Sequence, residues 1–166
     1  MSIRSLDPFA VPLEGVNLVE AAAGTGKTWT ITALYLRLLL EQDLLVGRIL
    51  VVTYTRAATG ELRQRLRDAL VRALEAFESP GVCADPMIAP LLAVGHDERT
   101  SVRKLRRALA DFDQAAVSTI HAFCERVLSD SAFQSGMALN TELTPNDESL
   151  LAEVFDDLWR KEIYPA

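Results

Sequence analysis

The chain has 166 residues, 49% of them hydrophobic, 24% charged and 7% aromatic, enough for one ordinary core and too few for two. Eight glycines and seven prolines exclude low-complexity and collagen-like architectures, and the longest apolar run, Ala33 to Leu40, is broken by Arg37 and too short to cross a bilayer. The formal net charge of -6 is unevenly spread: residues 1–110 hold 14 Lys or Arg against 12 Asp or Glu, whereas residues 111–166 hold 3 against 11. The overall acidity therefore does not exclude a polyanionic partner, which needs only a local basic face.

The opening MSIRSLDPFAVPLEG has neither a basic patch ahead of a long apolar run nor a small-residue cleavage site, so a cytoplasmic location without membrane attachment is expected. Cys83 and Cys124 lie far apart in unlike contexts, with no disulfide framework or metal-ligand spacing. Reduced thiols are expected.

Asn17 to Glu20 (NLVE) reads as a short strand opening into AAAGTGKT, and Trp29 to Leu40 as a buried helix after it. Arg48 to Tyr54 (RILVVTY), rich in β-branched residues and preceded by Gly47, reads as a strand buried on both faces of a parallel sheet. From Ala57 the period becomes 3.6: Leu62, Leu66, Leu70, Ala73 and Phe77 form an apolar stripe on a helix ending near Ser79-Pro80-Gly81. Residues 79–98, with Pro80, Gly81, Pro86, Pro90 and Gly95, read as a loop holding a helical turn or two at most. Arg99 to Phe112 repeats a helical stripe through Val102, Leu105, Leu109 and Phe112, with Arg103, Lys104, Arg106 and Arg107 on what reads as a solvated face rather than a phosphate site. Ala116 to Thr119 makes a third short strand, feeding a helix from His121 to about Phe133. Asp147 to Lys161 forms a last helix.

The segment that carries chemistry is Gly24-Thr25-Gly26-Lys27-Thr28, between a predicted strand and a predicted helix. Successive N–H groups of a glycine turn at a helix N-terminus form an anion-sized nest. Lys27 is placed to reach the β- and γ-phosphates of ATP, and the Thr28 hydroxyl to hold Mg²⁺; Ala22, Ala23, Gly24, Thr25 and Gly26 complete the phosphate cradle. The strict pattern asks for Gly at position 21, where this chain has Ala21. Hydrolysis also needs an acid directly after a buried strand. Neither Asp97-Glu98, preceded by Gly95 and His96, nor Asp156-Asp157, inside a helical stripe, meets that requirement.

Taken together, EAAAGTGKT (Glu20 to Thr28), VVTYTRAATGELRQRL (Val51 to Leu66) and VSTIHAFCERVL (Val117 to Leu128) resemble superfamily 1 UvrD-like DNA helicases, and within them the beta subunits of exodeoxyribonuclease V. That family tolerates Ala at the first loop position, and AFQSGM (Ala132 to Met137) and DESLL (Asp147 to Leu151) extend the resemblance. It implies a partial RecA-like α/β domain: a P-loop and short parallel sheet flanked by helices, with C-terminal helices beyond. Residues 1–133 would belong to motor domain 1A and residues 134–166 would open helical subdomain 1B. It also implies that the second and third segments follow single-stranded DNA, putting Thr53, Tyr54, Thr55, Arg56, Thr119 and His121 at or near the strand. The implied parent is an ATP-dependent helicase and exonuclease of double-strand-break repair and recombination, acting on single-stranded and duplex DNA with the subunits RecC and RecD.

For Tyr54 a place in the sheet core competes with base stacking, and for His121 a capping or core-satisfied imidazole competes with a place beside DNA. The family's adenine-side glutamine has no counterpart in LDPFAVPLEG. Self-association is expected of a short parallel sheet with an uncovered apolar edge. Two other functions fit the loop: a small phosphoryl-transfer enzyme such as a metabolite kinase, disfavoured by the acidic C-terminal third, and a nonenzymatic interaction module.

Overall fold

The structure is a computed structural model and describes residues 6–22, 24–79, 81, 83–131 and 147–163. The chain divides into two compact units, residues 1–123 and 124–166. The elements in order are α1 (Lys27–Glu41), β1 (Val51–Thr53), α2 (Arg56–Glu78), α3 (Ala89–Ala93), α4 (Glu98–Ala110), β2 (Val117–Thr119), α5 (Ile120–Asp130) and α6 (Glu148–Ile163). Single 3-10 turns at Val46–Arg48 and Phe112–Gln114 lead toward the two strands.

In the first unit, α2 packs against α1, α4 and both strands. Its expected stripe is its buried face: Leu62, Leu66, Leu70, Ala73 and Phe77, joined by Ala69, face Leu36, Leu39 and Leu105 in one core. Each fully buried leucine there contributes about 1.5–3 kcal/mol of transfer free energy. The two strands are neighbours and parallel, in the register Val51↔Val117, Val52↔Ser118, Thr53↔Thr119. The crossover between them contains α2, α3 and α4, so both strands end on the same side of the unit.

The sequence expectations need several corrections. Asn17 to Glu20 forms no strand; Leu18 stands 77% exposed, and the sheet has two strands among the described residues, where three were expected. A three- or four-residue apolar run becomes a strand only when a neighbour takes up its N–H and C=O groups, and none does here. The second expected strand shortens to Val51–Thr53 and is not buried on both faces, since Val52 is exposed. The Pro- and Gly-rich segment contributes Met87, Ile88 and Leu91 to the core, through α3 and the turn before it. Phe133 and the Ala132 to Met137 segment lie outside the described residues.

The basic cluster of α4 is more than a solvated face. Lys104 donates to the Leu40 carbonyl (2.8 Å) and pairs with Asp43 (3.1 Å), closing the C-terminal end of α1, where a cation meets the negative pole of the helix. Arg106 pairs with Glu78, and Arg107 with Asp111. Arg37, which interrupts the apolar run of α1, is buried. It forks onto Glu41 and donates to the carbonyls of Pro8 and Val11, 2.8 Å each, pinning the N-terminal loop to α1. In the second unit, the Phe155 and Trp159 rings of α6 stack one helical turn apart, 6.1 Å between centroids. No described helix is long and apolar enough to cross a membrane.

Candidate functional site

The glycine loop ends in α1. Gly24 (φ +76°) and Gly26 (φ +88°, the residue before the helix) both take the left-handed conformation, with open space where a Cβ would stand. Positive φ costs a non-glycine residue about 1–2 kcal/mol, so these two positions require glycine. Gly26 offers no side-chain cap; its carbonyl accepts from Thr30 N (2.9 Å). The amides of the first turn therefore have no partner within the helix and lie at the positive end of the α1 dipole.

Lys27 is the first residue of α1 and is exposed. Its Nζ folds back over the loop and donates to the carbonyls of Ala21 (3.1 Å) and Ala22 (2.5 Å); the Thr25 hydroxyl also donates to Ala22 O (2.7 Å). The ammonium group thus sits at the mouth of the nest. Thr28, the next residue, is half-buried, and its carbonyl accepts from the Thr32 hydroxyl (2.8 Å). Ala23 lies outside the described residues.

A cavity of about 500 Å³ opens beside the loop, lined by Gly26, Lys27 and Glu20 together with Leu6, Pro8 and Trp29. That is the volume range of small-molecule sites. Its N-terminal wall is held by the Arg37 pin and by Phe9, whose ring meets Trp29 edge-on at 5.8 Å. These residues fit a triphosphate: amides at a helix N-terminus, a cation whose present partners are neutral loop carbonyls, and a hydroxyl one residue on. The described residues contain no cluster of three His, Cys, Asp or Glu side chains that could hold a metal ion. Asp97 is the N-cap of α4. It accepts from Thr100 N (2.8 Å), and the hydrogen bonds from Thr100 hold its carboxyl below the usual range.

The second group of predicted residues gathers at the C-terminal ends of β1 and β2. Thr53 and Thr119 are register partners, which brings the two following helices side by side at their N-termini. The two ends are built alike. Thr55 caps α2 by accepting from Ala58 N (3.1 Å), and Thr119 accepts from Ala122 N (3.2 Å) in the first turn of α5. Thr59 fastens the first turn of α2 to the strand end, with its hydroxyl against Thr53 Oγ1 (2.5 Å) and donating to Thr55 O (2.9 Å).

Tyr54 projects from this edge with 81% of its surface exposed, which rules out the sheet-core placement, and Arg56 is exposed beside it. His121 is exposed as well, and the capping role falls to Thr119, so neither a capping nor a core-satisfied imidazole describes it. Two positive helix ends, an exposed phenol ring and an exposed guanidinium thus share one edge. Sequence reasoning missed Arg37, Lys104 and Arg63, which hold these parts in place. Their long-range carbonyl partners leave no local pattern.

A sequence model of the UvrD/REP helicase N-terminal domain matches residues 6–164. The chain belongs to the UvrD/REP helicase family. Among curated relatives of this helicase segment, the RecBCD enzyme subunit RecB of Escherichia coli (strain K12) is 41% identical over 98% of the chain. RecB of Haemophilus influenzae is 38% identical over 96%, and RecB of Mycobacterium tuberculosis 37% over 89%. In each case the chain spans 14% of the relative's length. It is a RecB-like helicase segment, and the metabolite-kinase and interaction-module alternatives are not favoured.

Proposed function

We propose that this chain supplies the nucleotide-binding loop and part of the DNA-contacting edge of an ATP-dependent, RecB-like helicase and exonuclease acting in double-strand-break repair and recombination. The observation that carries the nucleotide half is the left-handed Gly24 and Gly26 pair delivering Lys27 to the first position of α1, beside a nucleotide-sized cavity. In this reading the amides from Ala22 to Thr28 hold the phosphate oxygens, and Lys27 exchanges its two loop carbonyls for the β- and γ-phosphates. Thr28 ligates Mg²⁺, which when bound neutralises charge on those phosphates. The cavity wall beside the loop is mostly apolar.

For the second half, Thr53, Tyr54, Thr55, Arg56, Thr119 and His121 follow single-stranded DNA: helix N-termini and Arg56 take phosphates, and the Tyr54 ring stacks on a base with little sequence preference. Residues 134–166 open helical subdomain 1B, and RecC and RecD are the partner subunits. No acid follows either described strand.

Lys27→Ala tests the nucleotide half. Removing a charge-assisted contact costs about 1.5–3 kcal/mol, or roughly ten- to a hundredfold in affinity. Mg-ATP affinity measured by calorimetry should fall by at least that much while far-UV circular dichroism stays unchanged. An unaltered affinity overturns the assignment of the loop.

A further inference from the structure

We infer that Arg63 is a positioning residue for the DNA-contacting edge: its guanidinium sets the distance and register between the two helix N-termini without itself touching the strand. This inference rests on the proposed DNA reading of that edge. Arg63 lies on α2 two turns beyond the Thr55 cap, and its stem leads to the other side of the edge. Nη1 donates to the carbonyl of Ala115 (3.4 Å), and Nη2 to those of Phe112 (3.3 Å) and Asp113 (3.1 Å). These three carbonyls belong to the 3-10 turn and the residue after it, two residues ahead of β2. The guanidinium also stands over the Phe112 ring, 5.5 Å from its centroid.

The placement matters because the strand pairing at this edge is short. β1 and β2 are three residues each, and the pairing between them is parallel. A two-stranded sheet of that length gains little from its own pairing, so its register rests on the burial of Ala115 and Val117 in the core and on the carbonyls that Arg63 grips. The Thr53–Thr59 and Thr59–Thr55 contacts lock β1 to α2, yet they do nothing for β2. Arg63 is the side chain on α2 that reaches the entry of β2, and the fork geometry of a guanidinium lets one group grip several carbonyls at once. Shifting that turn by one residue would reverse the faces of Val117, Ser118 and Thr119, uncapping α5 and carrying His121 away from Tyr54. α2 also packs against α1, where the Tyr35 hydroxyl is buried with no hydrogen-bond partner among the described residues. α2 is thus the rigid bar between the strand edge and the helix that begins at Lys27.

The test compares the full chain with Arg63→Ala, Arg63→Lys and Tyr54→Ala, measuring affinity for an oligothymidylate probe and for Mg-ATP on the same samples. Loss of the charge-assisted fork should weaken strand binding by about tenfold or more with nucleotide affinity kept within about twofold. Arg63→Lys keeps the charge but not the fork, so its strand affinity should fall between those of the unaltered chain and Arg63→Ala. Equal loss of strand and nucleotide binding in Arg63→Ala marks a general structural role and overturns the inference. So does wild-type strand affinity in Arg63→Lys, which would assign the effect to charge alone. If Arg63→Ala does not fold, the lysine variant decides by the same criterion. Weakened binding in Tyr54→Ala with none in the Arg63 variants overturns the positioning role and leaves the DNA reading standing. No strand binding by the unaltered chain, or none lost in Tyr54→Ala, removes the DNA reading and this inference with it.

Discussion

The two candidate regions rest on one core and are held in opposite ways. The lysine loop is local: residues 20–28 supply the glycines, the cation and the hydroxyl, and the segment leading into it is exposed and belongs to no strand. The strand edge is assembled from residues 53–59, 63 and 112–122, which meet only because α2 and the crossover fold back. A local site depends on backbone conformation at two glycines. An assembled site depends on the packing that brings its halves together, so the two should respond differently to the same kind of damage.

The largest effect should come from the core that both share. Leu66 is fully buried at the centre of α2, between α1 and α4. Leu66→Ala should cost about 2–5 kcal/mol, the range for buried leucines whose cavity does not collapse. In a domain of marginal stability that is a large share of the total. Denaturant titration checks the size of the loss. The strand affinity should fall earlier along the titration than the nucleotide affinity, because its contacts span more of the chain. Coincident loss of both would show the loop to be as dependent on the core as the edge is.

A smaller pair of substitutions separates the regions directly. Gly26→Ala meets open space but forces alanine to φ +88°, at about 1–2 kcal/mol, and should weaken Mg-ATP binding while sparing the strand. Thr55→Ala removes the α2 cap, at about 1 kcal/mol, and should do the reverse. Both are read by affinity and by thermal melting. If the two variants give the same pattern, the loop and the edge are one coupled site rather than two.

This contrast also explains what could be read in the sequence. The lysine loop was legible because glycine, lysine and threonine at fixed offsets carry their geometry with them, and the α2 and α4 stripes were legible because a 3.6-residue period needs no partner to be recognised. The strand expected at Asn17 to Glu20 failed for the complementary reason: a strand is a property of two segments, and the sequence displays one. Arg37 read as a break in an apolar run, whereas its carbonyl partners at Pro8 and Val11 lie 26 and more residues away. Lys104 and Arg63 were hidden in the same way, as charges on helices whose roles appear only when the carbonyls they bind are located. Met87, Ile88 and Leu91 were obscured by prolines that shape a turn into the core.

The smallest expected effect lies at the junction of the two regions and is silent at neutral pH. The Tyr35 hydroxyl is buried on α1 without a partner, and burial pushes its pKa from 10.0 up to about 12, against the opposing pull of the Arg63 charge. A folded-state value above the unfolded one means that the stabilising contribution is fully present below pH 10 and is lost as pH rises toward 12, because the unfolded chain releases the proton first. Tyr35→Phe removes the titrating group and a hydroxyl that has no hydrogen bond to lose, so its stability at pH 7 should match or slightly exceed that of the unaltered protein. Its stability curve above pH 10 should be flatter, as read by denaturant midpoints across that range. Arg63→Ala should steepen the unaltered protein's decline, since the charge that favours the phenolate in the folded state is gone. An identical decline in all three would mean that Tyr35 titrates as it does in the unfolded chain, and that the α1–α2 contact beneath the two sites is open to water.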